Sequence, residues 1–283
     1  MKRAIALGEC SIDVRSLAPL MRKELRDAMR NRWLLLYAIA FAALAVALSY
    51  MSQVGSGMAG MAGFGKTAAS LVNLTLLLTP LMGLTIGALS LTGERDRGML
   101  AYLLAQPVSR AEVLVAKFLG QALAFAGAIA IGFGVAALAM GRSGDGLLMV
   151  RLAGLSALLA ISMLAIGMLI AAVIRRSNVA LGMSVFAWFA LVLVSDLGLM
   201  SATTVLDLSA RQLLLTALAS PTQVFKLAAI SSFDATLDLL GPAGLYATQA
   251  FGAALAPLLI SLLIAWCVAP LLLAGAVFIR RPL

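Results

Sequence analysis

The stretch LAGLSALLAISMLAIGMLIAAVI, residues 152–174, decides the fold of this chain because it contains no charged side chain. About 20 apolar residues cross the hydrocarbon core of a bilayer as a helix. Comparable apolar runs recur at residues 33–51, 71–91, 113–140, 179–199 and 254–279. We therefore predict an all-α polytopic membrane protein with six transmembrane helices.

The composition agrees with a membrane domain. Of the 283 residues, 63% are hydrophobic and only 12% are charged, whereas about a quarter of the residues in a soluble domain are charged. No segment is long and polar enough to fold separately, so residues 1–283 are interpreted as a single domain. The short apolar run in residues 1–15 is too brief for the core of a signal peptide, so no cleavage is expected.

The basic residues indicate the topology. The net charge is +9, but the lysines and arginines cluster beside the ends of the apolar runs, which disfavours a nucleic-acid partner. Sixteen of the 21 fall in the amino-terminal segment, residues 92–117, residues 175–176 and residues 280–281. Positive charge marks cytoplasmic loops, so we predict a bacterial inner-membrane protein with both termini in the cytoplasm.

Residues 16–32 have the pattern of an amphipathic helix lying in the membrane interface, with apolar residues on one face and basic residues mainly on the other. The polar residues expected to face the cytoplasm are Lys23, Glu24, Asp27, Arg30 and Arg32.

The sequence offers no catalytic apparatus. It contains no histidine, and its two cysteines, Cys10 and Cys267, are far apart, so neither a metal site nor a bound cofactor is predicted. The lack of histidine argues against a rhomboid-type protease, and GRSGDG at residues 141–146 fails the GxGD pattern of aspartyl intramembrane proteases.

Residues 60–67, GMAGFGKT, satisfy the phosphate-loop pattern. That pattern binds phosphate only between a buried strand and a helix. Here it follows a membrane span, in a loop predicted to be external and to extend to residue 70. We interpret the match as a coincidence.

The polar segment at residues 92–112 is the most informative. Ser109 and Glu112 form a predicted capping box at the start of the third span, and Gln106-Pro107 ends a short helical run. We predict a cytoplasmic helix at residues 94–105 that is joined closely to two membrane helices, an arrangement that can transmit the movement of a docked partner.

The sequence GERDRGMLAYLLAQPVSRAEVLVAKF, residues 93–118, resembles the coupling-helix signature of exporter-type ABC permeases. Ala116 stands where that family often has glycine. The resemblance implies a homodimer, a separate dimer of cytoplasmic ABC ATPase subunits that binds ATP and Mg²⁺, and contacts with membrane lipid. The residues expected to dock the ATPase are Glu94, Arg95, Asp96, Arg97, Gly98, Leu100, Leu103, Leu104, Pro107, Ser109 and Arg110.

Within that family the chain is most similar to permeases for maturation of the copper enzyme nitrous oxide reductase. Residues 220–227, SPTQVFKL, resemble that subfamily's Asn-Pro-Thr-Asp-Val-Phe-Arg-Leu segment, with departures at Ser220, Gln223 and Lys226. Residues 200–253 are then expected to form external re-entrant helices, with Ser220 as an N-cap, and a periplasmic accessory protein is expected to bind.

Candidate residues on the substrate path are few. Met51, Met58 and Met61 cluster near the outer end of the first span, where thioethers suit Cu(I) but also serve as ordinary packing. Asp196 is the acid within a predicted span, and such residues are functional candidates. The residues do not choose between a sulfur species and copper as cargo.

Two other functions remain open at this stage. One is a general multidrug or lipid exporter. The other is a membrane scaffold for periplasmic enzyme assembly that transports nothing.

Overall fold

The computed structural model describes residues 14–56, 61–99, 109–140, 146–198, 210–232 and 250–280, and every regular element in those ranges is a helix. The principal helices are α1 (Val14–Met29), α2 (Arg32–Ser56), α3 (Met61–Asp96), α4 (Arg110–Met140), α5 (Gly146–Val173), α6 (Ser177–Phe189), α7 (Ala210–Leu218), α8 (Pro221–Ser231) and α9 (Leu255–Arg280). Helix α6 continues through a π-helical turn, Ala190–Val194.

Six of the described helices are long and apolar enough to cross a membrane: α2, α3, α4, α5, α6 with its extension, and α9. The prediction of an all-α chain with six transmembrane helices is therefore confirmed. Helix α1 is present, and its exposed residues include Arg22, Lys23, Arg26 and Asp27, while Arg30 is exposed just after its end. Its location in a membrane interface stays a prediction.

Helix α3 is longer at both ends than its predicted span. It begins at Met61, so residues 61–67 of the phosphate-loop match are helical and cannot form the loop that cradles a phosphate. It reaches Asp96 and ends before Gly98, whose φ of 70° is not a right-handed helical conformation. The amide of Gly98 donates to the carbonyl of Arg95 at 3.0 Å and closes the helix end.

The contact between α3 and α5 is close because glycines line it. A Cβ atom on Gly87 would lie 2.4 Å from the carbonyl oxygen of Leu164, and one on Gly167 would lie 2.4 Å from that of Leu84. Gly83 is equally confined, since its Cβ would lie 2.7 Å from that of Met163. Small residues at such spacing let membrane helices approach backbone to backbone.

The glycines of α4 divide into two kinds. Gly120 faces α1, where an added Cβ would lie 2.7 Å from Cβ of Glu24, and Gly132 faces the ring of Phe41. Gly127 and Gly134 have nothing within 4 Å of that position. Close packing therefore explains only the first pair.

A buried tyrosine joins three of the helices. The hydroxyl of Tyr37 on α2 lies 2.9 Å from that of Thr79 on α3, and its ring meets Phe125 of α4 edge to face at 5.0 Å. Thr79 precedes Pro80, and α3 continues through this proline. The hydrogen bond therefore satisfies two buried hydroxyls beside a residue that has no backbone donor.

Helices α7 and α8 lie between α6 and α9 in sequence and are bent by 112° at their junction. Helix α8 packs against α3, α5 and α9, and its Val224 and Phe225 are completely buried. It starts with Pro221 in the first turn, as the sequence predicts, and Ser220 occupies the N-cap position without making a side-chain cap. Residues 200–209 and 233–249 of the predicted external loop lie outside the described residues.

The glycine contacts predict opposite effects for two minimal substitutions. Gly87→Ala places a methyl group against backbone that cannot yield locally, so it should lower stability by about 1–3 kcal/mol. Gly127→Ala meets open space and should be neutral or stabilise by up to about 1 kcal/mol through helix propensity. Thermal unfolding of the purified protein in detergent compares them, and equal melting temperatures would contradict this packing.

Candidate functional site: polar clusters at the two ends of the bundle

The predicted capping box forms at the start of α4. The backbone amide of Ser109 donates to Oε2 of Glu112 at 2.9 Å, and the amide of Glu112 donates to Oγ of Ser109 at 3.2 Å. Each side chain thus satisfies an amide that the helix leaves without a partner. The pair fixes the direction in which the chain enters α4.

A buried ammonium group lies inside this end of the bundle. Nζ of Lys117 on α4 lies 2.8 Å from Oε2 of Glu24 on α1 and 2.6 Å from Oε1 of Glu94 on α3. Only 2% of the Lys117 side chain is exposed. Three separate helices therefore meet at Lys117, and acidic and basic side chains of this kind are costly to bury unless they are paired.

The cluster extends along α1 to the surface. Nζ of Lys23 lies 3.2 Å from Glu24 and 3.6 Å from Asp27, and the Asp27 side chain is 58% exposed. Burial lowers the pKa of Lys23, but the nearby carboxylates of Glu24, Glu94 and Asp27 outweigh it and hold the pKa above its ordinary value. Lys23 thus stays protonated, and it lies between the buried carboxylate of Glu24 and the exposed carboxylate of Asp27.

Residues on both sides of the loop between α3 and α4 bind the ends of other membrane helices. Arg95 donates to the carbonyl of Ile174, just after α5, at 3.4 Å. Arg110 donates to the carbonyl of Phe278 near the end of α9 at 3.5 Å. Both are positive groups at helix carboxyl ends, where they offset the partial negative charge of the terminal carbonyls.

Asp96 performs the complementary task at the start of α6. Its carboxylate accepts hydrogen bonds from the backbone amide of Ser177, at 3.2 Å, and from the hydroxyl of the same residue. A carboxylate at a helix amino end is favourable for the same electrostatic reason. The last turn of α3 is thereby joined to the first turn of α6.

The structure places the predicted docking residues in different environments. Asp96, Arg97 and Gly98 are exposed. Glu94 and Glu24 turn inward to Lys117, with 19% and 7% of their side chains exposed. Lys23, Asp27, Arg30 and Arg32 are exposed, Arg95, Ser109 and Arg110 are half-buried, and Leu100, Leu103, Leu104 and Pro107 lie outside the described residues.

The predicted coupling helix at residues 94–105 has a different start in the structure. Residues 94–96 belong to the last turn of α3, and Gly98 then ends that helix. Residues 100–108 lie outside the described part of the chain.

A second polar cluster forms at the opposite end, where Asp196 lies beyond the π-helical turn. Its carboxylate accepts a hydrogen bond from the side-chain amide of Gln223 and lies 3.3 Å from Nζ of Lys226, and both of these residues are on α8. The carbonyl of Leu191, within the π-helical turn, accepts a hydrogen bond from Thr222 at 2.7 Å. Such turns disturb the regular backbone ladder and are frequent at functional sites.

The role of Ser220 differs from the predicted one. Its hydroxyl lies 3.5 Å from the carbonyl of Leu191 and 2.9 Å from the hydroxyl of Thr222, rather than on an amide of α8. The serine therefore links α8 to α6, because the π-helical turn presents a carbonyl to it. Segment 220–227 departs from the subfamily pattern at Ser220, Gln223 and Lys226, and all three side chains contact α6 or its extension, at Leu191 or Asp196.

The methionine candidates gain little support as ligands. Met51 is 69% exposed at the outer part of α2. Met58 and the side chain of Met61 lie outside the described residues. Among the residues described, no group of three or more histidine, cysteine, aspartate or glutamate side chains is placed to hold a metal ion.

Sequence reasoning missed Lys117. It was assigned to the basic loop at residues 92–117, whereas the structure buries it within α4. The usable signal was its position between Ala116 and Phe118, inside the apolar run that the capping box begins, because an ionised residue inside a span is a functional candidate.

Comparisons with known proteins agree with this architecture. Residues 18–283 match the family described as ABC-2 family transporter protein. The chain is 35% identical over 269 residues to the "Probable ABC transporter permease protein NosY" of Stutzerimonas stutzeri, covering 92% of this chain and 96% of that protein. It is 34% identical over 277 residues to the protein of the same description from Pseudomonas aeruginosa, covering 93% and 97%. The chain therefore belongs to the ABC-2 family of transporter proteins and is a NosY-like ABC permease.

Proposed function

We propose that this chain is the membrane subunit of an ATP-driven transporter, in which two copies form a homodimer and bind two copies of a separate ATPase subunit. The ATPase supplies the site for ATP and Mg²⁺, and this chain supplies the path and the moving helices. Membership of the ABC-2 family supports the permease assignment. The docking of an ATPase and its coupling to the helices are the further steps of the proposal.

One observation carries these steps. The loop after α3 is flanked by Arg95 and Asp96 on one side and Arg110 on the other, and these three side chains bind the ends of α5, α6 and α9. A force applied to the loop would therefore reach three further membrane helices through hydrogen bonds as well as two through the backbone. Bundles joined in this way shift between discrete arrangements rather than deform locally.

The orientation follows from the distribution of charge. The end that holds Lys117, Arg95, Arg110 and the start of α6 also carries Arg175 and Arg176. Positive residues remain on the cytoplasmic side, so we place this end and both termini in the cytoplasm of a bacterial inner membrane. The cluster around Asp196 then faces the periplasm, where an accessory protein would bind.

The physiological role that we propose is maturation of the copper enzyme nitrous oxide reductase. Its support is the similarity of residues 220–227 to that subfamily's segment, together with the two NosY relatives that match nearly the whole chain. The residues in that segment contact Asp196 and the π-helical turn. This gives the segment a structural task at the outer end of the path.

The docking proposal predicts a specific loss of affinity. Arg97→Glu reverses an exposed charge beside the loop and should weaken binding of the ATPase subunit about tenfold or more, since mismatched interface charges cost more than about 1.4 kcal/mol. Binding of the purified ATPase to the permease in nanodiscs measures this effect. Arg211→Glu, an equally exposed arginine on α7, is the matched control and should leave ATPase affinity unchanged.

Two results would contradict the proposal. Equal affinity of the Arg97→Glu and Arg211→Glu variants for the ATPase subunit would show that the loop is not part of the docking surface. A wild-type complex that assembles but hydrolyses no ATP would favour the scaffold alternative.

The orientation predicts which exposed sites react from each side of the membrane. In a background with Cys10→Ser and Cys267→Ser, a cysteine introduced by Arg211→Cys should react with a membrane-impermeant maleimide in intact spheroplasts. Arg176→Cys should react only after lysis, because its end of the bundle faces the cytoplasm. The reverse pattern would overturn the assigned orientation, and labelling of both sites in intact cells would contradict opposite placement of these ends.

A further inference from the structure

Lys117 is held at a position where a positive charge is costly. It lies on a membrane helix, 2% of its side chain is exposed, and it makes both of its ion pairs with residues of other helices. A buried ion pair contributes little net stability compared with apolar packing of the same volume, but removal of one partner is strongly destabilising. The cluster therefore fixes the relative positions of α1, α3 and α4 more than it stabilises the bundle.

The cluster is also not fully satisfied. Oε2 of Glu94 is buried and has no hydrogen-bond partner among the described residues, while Oε1 of the same group lies 2.6 Å from Lys117. Two carboxylates share one buried ammonium. A buried polar atom without a partner calls for an explanation beyond stability, and one such explanation is that this contact changes during the functional cycle.

Helix α1 is held to α4 by more than charge. Gly120 lies one turn after Lys117, and an added Cβ there would lie 2.8 Å from the backbone nitrogen of Leu25. The backbone of α1 therefore rests directly on α4 at the point where Glu24 reaches Lys117. The opposite side of α1 is exposed and charged, at Lys23 and Asp27. A partner that moves the exposed side must move α4 as well.

We propose that Lys117 is the positioning residue that transmits movement of α1 and the end of α3 to α4, so that these three helices shift as one body when the docked ATPase binds nucleotide. The inference rests on the proposed function, because it requires an ATPase at this end of the bundle. It adds a named residue inside the permease on which energy transfer depends.

The test uses the full complex with its ATPase, with the permease in a Cys10→Ser, Cys267→Ser background and labelled chains diluted by unlabelled ones. Spin labels at Met29→Cys and Leu138→Cys report the distance from α1 to the far end of α4. Labels at Leu138→Cys and Leu272→Cys report the distance from α4 to α9. All three sites are exposed.

In the wild type, ATP with Mg²⁺ and vanadate should change the distance from α4 to α9 and leave the distance from α1 to α4 unchanged. Lys117→Arg keeps the charge and should keep both results. Lys117→Met should abolish the change between α4 and α9, provided that it folds.

A charge-free variant separates transmission from folding. Glu24→Gln, Glu94→Gln and Lys117→Met together leave no unpaired buried charge, and Lys23 keeps Asp27 as its partner. Both substituted carboxylates face Lys117 and not the docking surface, so the variant should assemble and hydrolyse ATP, yet lose the nucleotide-dependent change between α4 and α9. If this variant retains the full change, Lys117 is merely structural and the inference is overturned. If the wild-type complex hydrolyses ATP with no such change, transmission through α4 is likewise overturned, whereas failure of the wild type to bind or use the ATPase overturns the proposed function itself.

Discussion

The absence of water from the hydrocarbon core is the constraint on which the rest of this structure depends. Each polar group there must find its partner within the protein. Several serine and threonine side chains in the spans accordingly donate to carbonyls of the preceding turn, as Thr92 does to Ala88 at 2.6 Å. The same requirement accounts for the occupied helix ends and for the buried cluster around Lys117. The polar contacts that join different helices, such as those of Lys117, restrict how these helices can move relative to one another.

That constraint also decides how much could be predicted from the sequence. Span positions and the box of Ser109 and Glu112 were predictable, because composition and a four-residue pattern are local properties. The partners of Lys117 were not, since Glu24 is 93 positions away in sequence and Glu94 is 23. Only the packing of α1 and α3 beside α4 brings these residues together. The same packing turns Glu24 and Glu94 inward, although Glu24 belongs to the predicted interfacial helix and Glu94 to the segment expected to dock the ATPase.

Glycine shows the same limit. Gly120 and Gly132 of α4 face a neighbouring helix, whereas Gly127 and Gly134 of the same helix face open space. The spacing of residues along one helix says which of them share a face. It does not say whether a neighbour covers that face. A backbone-to-backbone approach, at Gly87 and Gly167, joins two other helices, and nothing in the sequence pattern distinguishes these glycines from those that face open space.

Helix α6 differs from the other spans in the way it is held. Only 11% of its apolar window is buried, against 61% for α5, and its packing is mainly against α3, where Trp188 donates to the carbonyl of Leu77 at 3.1 Å. Its two ends are held by polar contacts, through Ser177 to Asp96 on α3 and through Asp196 to Lys226 on α8. The π-helical turn, Ala190–Val194, lies between these anchors and breaks the regular hydrogen-bond ladder. Asp96, which holds the first turn of α6, is the last residue of α3, so a shift of Asp96 alters the position of α6 directly. A shift of α6 would in turn require the contact between Asp196 and α8 to adjust. Helix α6 thereby links the polar contacts at the two ends of the bundle.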